Sequence, residues 1–156
     1  MISLPEELKK LLEEQDTVKI LGTVDEKGNP HVVLKDSMRL LDDGTIAYAE
    51  DLDSSRSNKN MVKSIWFDKL VSINVTDGKV SYQITGKPIK CLITGPLFKE
   101  FLLKERERFG GDSDIQSVWI VSPIEVRNQT RVVRRKEEWK KSPYFNIHLD
   151  MLRKNK

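Results

Sequence analysis

The segment at residues 53–61 combines hydroxyl and cationic side chains in a spacing suited to an anion. It follows a short β-like run, residues 45–49, and its pattern predicts the start of a helix. The first turn of a helix exposes unpaired backbone N–H groups and the positive end of the helix dipole. Arg56 can hold a phosphate through two parallel donors, and the hydroxyls of Ser55 and Ser57 add neutral donors. The segment is therefore a candidate anion site that could hold a phosphate.

The same residues also fit a helix start that binds nothing. Asp53 or Ser54 can cap the helix, and Arg56 and Lys59 can be solvated surface cations. Capped helix starts are common, so the residues alone leave both interpretations open.

Side-chain catalytic motifs are missing from the chain. It has no Gly-x-Gly-x-x-Gly, no phosphate loop ending in Gly-Lys-Ser/Thr and no Gly-x-Ser-x-Gly elbow. With one cysteine, Cys91, and two histidines, His31 and His148, neither a disulfide nor a zinc site is predicted. We therefore expect any chemistry to be carried by a bound cofactor.

The elements that would position such a site are mainly β-strands joined by tight turns. Alternation and β-branching predict strands at 18–24, 30–34, 45–49, 69–75, 80–93, 117–121 and 124–127. Gly86 and Pro88 predict a bend or bulge in the longest strand, where it turns a barrel corner. Six or so antiparallel strands indicate a small closed barrel, with a sandwich as the alternative.

Helices are expected to flank this sheet. A capping box at residues 3–6, with proline inside the first turn, precedes leucines at helical spacing. Gly95 and Pro96 predict the start of another helix, which ends at Gly110.

Length and composition indicate one globular domain. The chain has 156 residues, 38% hydrophobic and 33% charged, with a net charge of +3. No apolar run approaches the roughly 18–20 residues that span a bilayer, and no signal peptide is recognisable, so we expect a cytoplasmic protein without a membrane partner. The late basic run is interrupted by Glu137 and Glu138, which favours a solvated tail over nucleic-acid binding.

Several short motifs occur in an order that resembles one protein family. They are Gly22-Thr23-Val24-Asp25, Gly28-Asn29-Pro30-His31-Val32-Val33, Asp43-Gly44-Thr45-Ile46, Arg56-Ser57-Asn58-Lys59-Asn60-Met61, Leu70-Val71-Ser72-Ile73, Tyr82-Gln83-Ile84-Thr85-Gly86 and Gly95-Pro96-Leu97-Phe98. This succession resembles the FMN-binding split-barrel, or pyridoxamine 5′-phosphate oxidase-like, superfamily, and is most similar to its small bacterial FMN-binding proteins. The likeness covers about residues 4 to 128.

The resemblance implies a mainly β fold: a six-stranded antiparallel split β-barrel with Greek-key connections, flanking helices and a homodimer that holds FMN at the subunit interface. Residues 1–130 would form this FMN-binding domain. Residues 131–156 would form a basic, aromatic tail that docks on the barrel or on the partner subunit.

The resemblance also assigns roles to individual residues. Arg56, Ser57 and Asn60 match the family's phosphate-binding pattern, with Arg56 where the family more often has lysine. The segment Leu34, Lys35, Asp36 and Ser37 occupies the place of the strand beside the flavin ring, although it is shorter than in the closest relatives. Lys35 beside the ring would stabilise the anionic reduced flavin, unless Lys35 and Asp36 form only a surface pair. Gln83 would border the cleft.

We therefore expect an FMN-binding flavoprotein, either an FMN-dependent oxidoreductase or an electron-transfer protein with a small-molecule or protein redox partner. One alternative is a haem-binding or haem-degrading split barrel, for which only His31 or His148 could be the axial ligand. Others are a non-enzymatic nucleotide-binding module and a protein that binds a deazaflavin.

Overall fold

The computed structural model describes residues 2–142. Its helices are α1 (Glu6–Glu13), α2 (Arg56–Trp66), α3 (Pro96–Phe109) and α4 (Arg131–Lys141). Its strands are β1 (Val18–Val24), β2 (Pro30–Leu34), β3 (Arg39–Leu40), β4 (Ile46–Glu50), β5 (Val71–Thr76), β6 (Ser81–Leu92) and β7 (Ser117–Asn128).

The strands form one antiparallel sheet in the order β2-β1-β5-β6-β7-β4-β3. The sheet curls around one apolar core to which β1, β4, β5, β6 and β7 all contribute buried side chains. The outermost strands β2 and β3 are not paired with each other, so the barrel is open. The mainly β split-barrel prediction is therefore confirmed. The described strands number seven rather than the six of the family's barrel: the segments expected at 117–121 and 124–127 join into one strand, and the short strand β3 was not predicted. The prediction of a closed barrel was wrong.

Two predicted features of the barrel differ from the structure. Strands expected at 117–121 and 124–127 form the single strand β7, because Pro123 lies opposite Gly86 at a register shift that accommodates the proline. The capping box is also absent: Pro5 is the N-cap of α1 and no side chain caps it. The backbone N–H of Lys9 donates to the carbonyl of Pro5, so the N-cap lies two residues beyond Ser3 and the helix begins at Glu6.

The expected tail begins as a helix. Residues 131–141 form α4, which buries no side chain, and residues 143–156, with His148, lie outside the described part of the chain. Within residues 2–142, none of the helices combines the length and apolar character needed to cross a bilayer.

The bend or bulge predicted in β6 is present as register shifts at Thr85/Gly86 and at Pro88/Lys90, and its glycine has a packing reason. A Cβ at Gly86 would overlap the side chain of the fully buried Val121. We expect Gly86→Ala to lower the free energy of unfolding by about 1–3 kcal/mol, the usual cost of overpacking. Chemical denaturation of Gly86→Ala and Gly111→Ala measures this, because a Cβ at Gly111 meets no atom within 4 Å. Equal stability of the two variants would contradict the packing account.

Candidate functional site

The start of α2 is the predicted phosphate site, and its geometry is set by a cap. Ser55 is the N-cap, and its hydroxyl accepts a hydrogen bond from the backbone N–H of Asn58 at 3.0 Å. This cap satisfies the N–H of Asn58 but not those of Arg56 and Ser57. These two N–H groups have no helical carbonyl to bind, because no turn of helix precedes them. The side chain of Arg56 is exposed and makes no hydrogen bond or salt bridge with residues 2–142. The helix start therefore has two unpaired N–H groups, of which the one on Ser57 belongs to a buried residue, and a free guanidinium exposed to solvent.

A buried carboxylate lies directly beneath this helix start. Glu50, at the end of β4, is 2% exposed, and its Oε2 accepts hydrogen bonds from Ser57 Oγ and from Lys35 Nζ, each at 2.9 Å. Ser57 is 1% exposed and Lys35 9%. The structure thus brings together two predicted cofactor-binding residues, Lys35 and Ser57, but each is bound to an acidic residue of the protein itself.

Charge and burial around Glu50 affect its neighbours. Burial, and secondarily the charge of Glu50, raises the pKa of the Tyr48 phenol well above its usual value. Desolvation raises the pKa of the Asp51 carboxyl, while the cation of Lys35 opposes that rise. Lys35 Nζ also lies 5.3 Å from the centre of the Tyr48 ring. The cluster is therefore a poorly hydrated environment in which the Lys35 cation has one close carboxylate partner.

A second set of contacts fixes the start of α2 to the sheet. Trp119 Nε1 on β7 donates to Asn58 Oδ1 at 2.9 Å, and Asn58 Nδ2 donates to the carbonyl of Asp53 at 3.0 Å. Trp119 is 1% exposed, so this hydrogen bond lies inside the core. These contacts hold the first turn of α2 in a defined position.

Two other predicted residues point to partners away from this cluster. Asn60 is 3% exposed and donates to Thr23 Oγ1 on β1 at 3.0 Å, so its side chain holds α2 against the sheet. Gln83 donates to Ser72 Oγ at 3.1 Å and accepts from Gln129 at 3.0 Å. The structure does not gather these two side chains with Arg56.

Only two residues of the segment predicted to lie beside the flavin ring, residues 34–37, line a cavity. Asp36 and Ser37 line a cavity of about 580 Å³ between α1 and α3. Asp36 forms an exposed ion pair with Arg108 at 2.8 Å, and Ser37 Oγ accepts from the backbone N–H of Ala49 at 2.9 Å. Leu34 is 63% exposed on the outer face of β2. Arg56 and Ser57 do not line this cavity, so the predicted phosphate and ring contacts do not share it within one subunit.

Glu50 was not predicted, although the sequence holds a signal for it. Ile46 and Tyr48 face the core, and the two-residue period of a strand places Glu50 on the same face. Its partners could not be read from the chain, since Lys35 lies 15 positions earlier and meets Glu50 only in the folded sheet.

Comparison with known proteins shows the fold at low sequence identity. No family model and no curated protein matches the chain. HupZ of Group A Streptococcus has a TM-score of 0.65 and 22% identity, over 83% of this chain and 96% of that one. A protein assigned to the pyridoxamine 5′-phosphate oxidases, from Lactobacillus delbrueckii, has a TM-score of 0.63 and 22% identity, over 80% and 93%. An FMN-binding protein from Syntrophomonas wolfei has a TM-score of 0.59 and 14% identity, over 80% and 90%.

Proposed function

We propose that this chain, which has the split-barrel fold of the pyridoxamine 5′-phosphate oxidase-like superfamily, binds FMN and serves as a redox flavoprotein. The observation that carries the proposal is the start of α2, where the guanidinium of Arg56 is exposed and free and the N–H groups of Arg56 and Ser57 have no partner in the described residues. Similar folds in an FMN-binding protein and in a protein assigned to the pyridoxamine 5′-phosphate oxidases support it.

The residues present fit a phosphate group in part. The side chain and backbone N–H of Arg56 are available as donors, whereas Ser57 is buried and its hydroxyl is already bound to Glu50. When bound, the flavin would supply the electron-transfer chemistry. The chain would hold the phosphate with Arg56 and keep a cation, Lys35, close to the site. These roles require position and charge rather than proton transfer, which suits an electron-transfer protein or a small FMN-dependent oxidoreductase.

We further propose a homodimer with the cofactor between subunits. The outer face of β1, β2 and β5 carries exposed apolar residues and has no charged side chain at its paired positions. The residues on this face are Val18, Ile20, Gly22, Val24, Pro30, Val32, Leu34, Ser72, Asn74 and Thr76. Val32 is 69% exposed and Leu34 63%. An uncharged sheet face with exposed apolar residues is characteristic of an interaction surface. A second copy on this face would enclose a cleft that one subunit lacks.

Substitution of Val32 tests the dimer. We expect Val32→Glu to convert the dimer to a monomer, because it places a carboxylate in the middle of an otherwise uncharged face. Sedimentation velocity measures the change. Leu103→Glu is the control, since Leu103 is 48% exposed on α3 and lies outside both that face and the tail expected to dock on the partner. A wild-type monomer, or a Val32→Glu dimer, would contradict the proposed interface.

Cofactor identification tests the proposed function directly. The purified protein, as isolated and after incubation with FMN, is examined by absorption spectroscopy, and the released small molecule is identified by mass. FMN is the expected result. A Soret band would indicate haem, a deazaflavin mass would replace FMN by that cofactor, and failure to bind any flavin would contradict the proposal.

A further inference from the structure

We propose that the outward face of α4 binds an anionic lipid surface, so that the protein attaches to a membrane without spanning it. The outward face is formed by Arg131, Val132, Arg135, Lys136, Trp139 and Lys140. The inference goes beyond the proposed flavin site, because it concerns another helix and another class of ligand. The sequence-based expectation of no membrane partner rested on spanning segments and signal peptides, and a helix lying among lipid headgroups needs neither.

The charged residues of α4 are sorted between its exposed and its partly buried sides. Among the described residues 131–141, the exposed side chains include five cations and no carboxylate. These cations are Arg131, Arg135, Lys136, Lys140 and Lys141. Glu137 and Glu138 are both partly buried, and Glu137 pairs with Arg134 at 2.6 Å. The glutamates that interrupt the basic run in the sequence therefore do not interrupt the basic surface.

Two apolar residues run along the middle of the outward face. Val132 is 62% exposed and Trp139 51%, and their spacing of seven places them on one line along the helix. Arg135 and Lys136 fall on opposite sides of that line. In a helix that lies at a lipid surface, apolar side chains enter the boundary between headgroups and acyl chains while flanking cations stay beside the lipid phosphates. The outward face of α4 has this arrangement.

The packing of α4 also points to a missing contact surface. The helix has 11 residues and buries none of their side chains among residues 2–142. Isolated helices of this length are marginal in water, because most helical stability in proteins comes from packing an apolar face. A lipid surface would cover Val132 and Trp139 and thereby stabilise the helix.

The cations favour a densely anionic partner, and the apolar line favours lipid among such partners. Each lysine or arginine held near an anionic bilayer strengthens attachment roughly fivefold. A nucleic acid would attract the same cations and could stack a base on Trp139, but it has no apolar interior that would bury Val132. A bilayer satisfies both the charge and the apolar residues of the face.

Sedimentation of the full-length protein with lipid vesicles tests the inference. Vesicles of phosphatidylglycerol and phosphatidylcholine in equal parts are compared with vesicles of phosphatidylcholine alone. We expect the protein to bind the anionic vesicles at least about tenfold more tightly than the neutral ones, and high salt to release it. Equal binding to the two kinds of vesicle, or binding to neither, would overturn the inference.

Two double variants show whether the binding belongs to α4. Arg135→Gln with Lys136→Gln removes two cations of the outward face, whereas Lys10→Gln with Lys99→Gln removes two exposed cations from α1 and α3. We expect the first pair to weaken binding to anionic vesicles about 30-fold and the second pair less than about threefold. Equal losses would show that net charge attracts the vesicles, and would overturn the inference.

A tryptophan comparison tests the apolar part of the face. Trp139→Ser removes the aromatic residue of α4, and Trp66→Ser removes one that is 79% exposed on α2. We expect Trp139→Ser to weaken vesicle binding about tenfold and Trp66→Ser to change it less than about twofold. Equal effects of the two variants would contradict insertion of Trp139. The α4 variants should bind FMN as the wild-type protein does, so this inference and the proposed function can fail separately.

Nucleic acid is tested in parallel by fluorescence anisotropy with labelled polyuridylate. We expect the wild-type protein to bind this polymer at least about tenfold more weakly than the anionic vesicles. Binding of polyuridylate without binding of the vesicles would overturn the inference and assign the outward face of α4 to nucleic acid.

Discussion

Lys35→Met is expected to lower the free energy of unfolding by about 3–5 kcal/mol, the cost of breaking a buried ion pair from one side. Lys35 Nζ lies 2.9 Å from Glu50, and the two side chains are 10% and 3% exposed. Methionine fills a similar volume, so the loss reports the unpaired carboxylate rather than a cavity. Urea denaturation followed by circular dichroism measures it.

Two further variants show whether the pair is the cause. Lys63→Met removes a cation from an ion pair of the same length, 2.9 Å, but its side chains are 36% and 67% exposed. That loss should stay below about 1 kcal/mol. Adding Glu50→Gln to Lys35→Met should restore most of the stability, because no unpaired charge then remains buried. A small loss for Lys35→Met, or no recovery in the double variant, would contradict the buried pair.

Arg56→Ala is expected to weaken FMN binding by about 1.5–3 kcal/mol, roughly 10- to 150-fold, the range for a charge-assisted hydrogen bond. The side chain is exposed and has no partner in residues 2–142, so its removal should leave stability nearly unchanged. Fluorescence titration with FMN measures the loss.

Riboflavin is the matched ligand for this variant, since it has the same ring without the phosphate. Arg56→Ala should leave the affinity for riboflavin unchanged, and Lys140→Ala, which removes an exposed cation on α4, should leave both affinities unchanged. Equal losses for FMN and riboflavin would remove Arg56 from the phosphate site.

Much of the barrel could be predicted because its signals are local. Turn residues and strand alternation indicated the hairpin of β1 and β2, and Gly86 with Pro88 indicated the irregular pairing within β6. The continuity of β7 was missed because Pro123 is tolerated only through the bulge opposite Gly86, a feature of the partner strand. α4 was missed because its residues are strongly charged and bury no apolar face.

The site was less predictable because its contacts are tertiary. The helix start and the exposure of Arg56 follow from the local pattern around residues 53–61. The burial of Ser57 and Asn60 does not, because it depends on Glu50 and on Thr23, which lie on β4 and β1. Lys35 was expected beside a flavin ring or at the surface, and the structure instead pairs it with Glu50 inside the barrel.

The central claim is that the first turn of α2 holds the phosphate of FMN. Backbone amide NMR of the wild-type protein during separate titrations with FMN and riboflavin tests it most directly, because it reports on the N–H groups of Arg56 and Ser57 themselves. We expect both amide resonances to shift with FMN and to move little with riboflavin. If FMN binds while these two resonances stay in place, the phosphate lies elsewhere and the account is wrong.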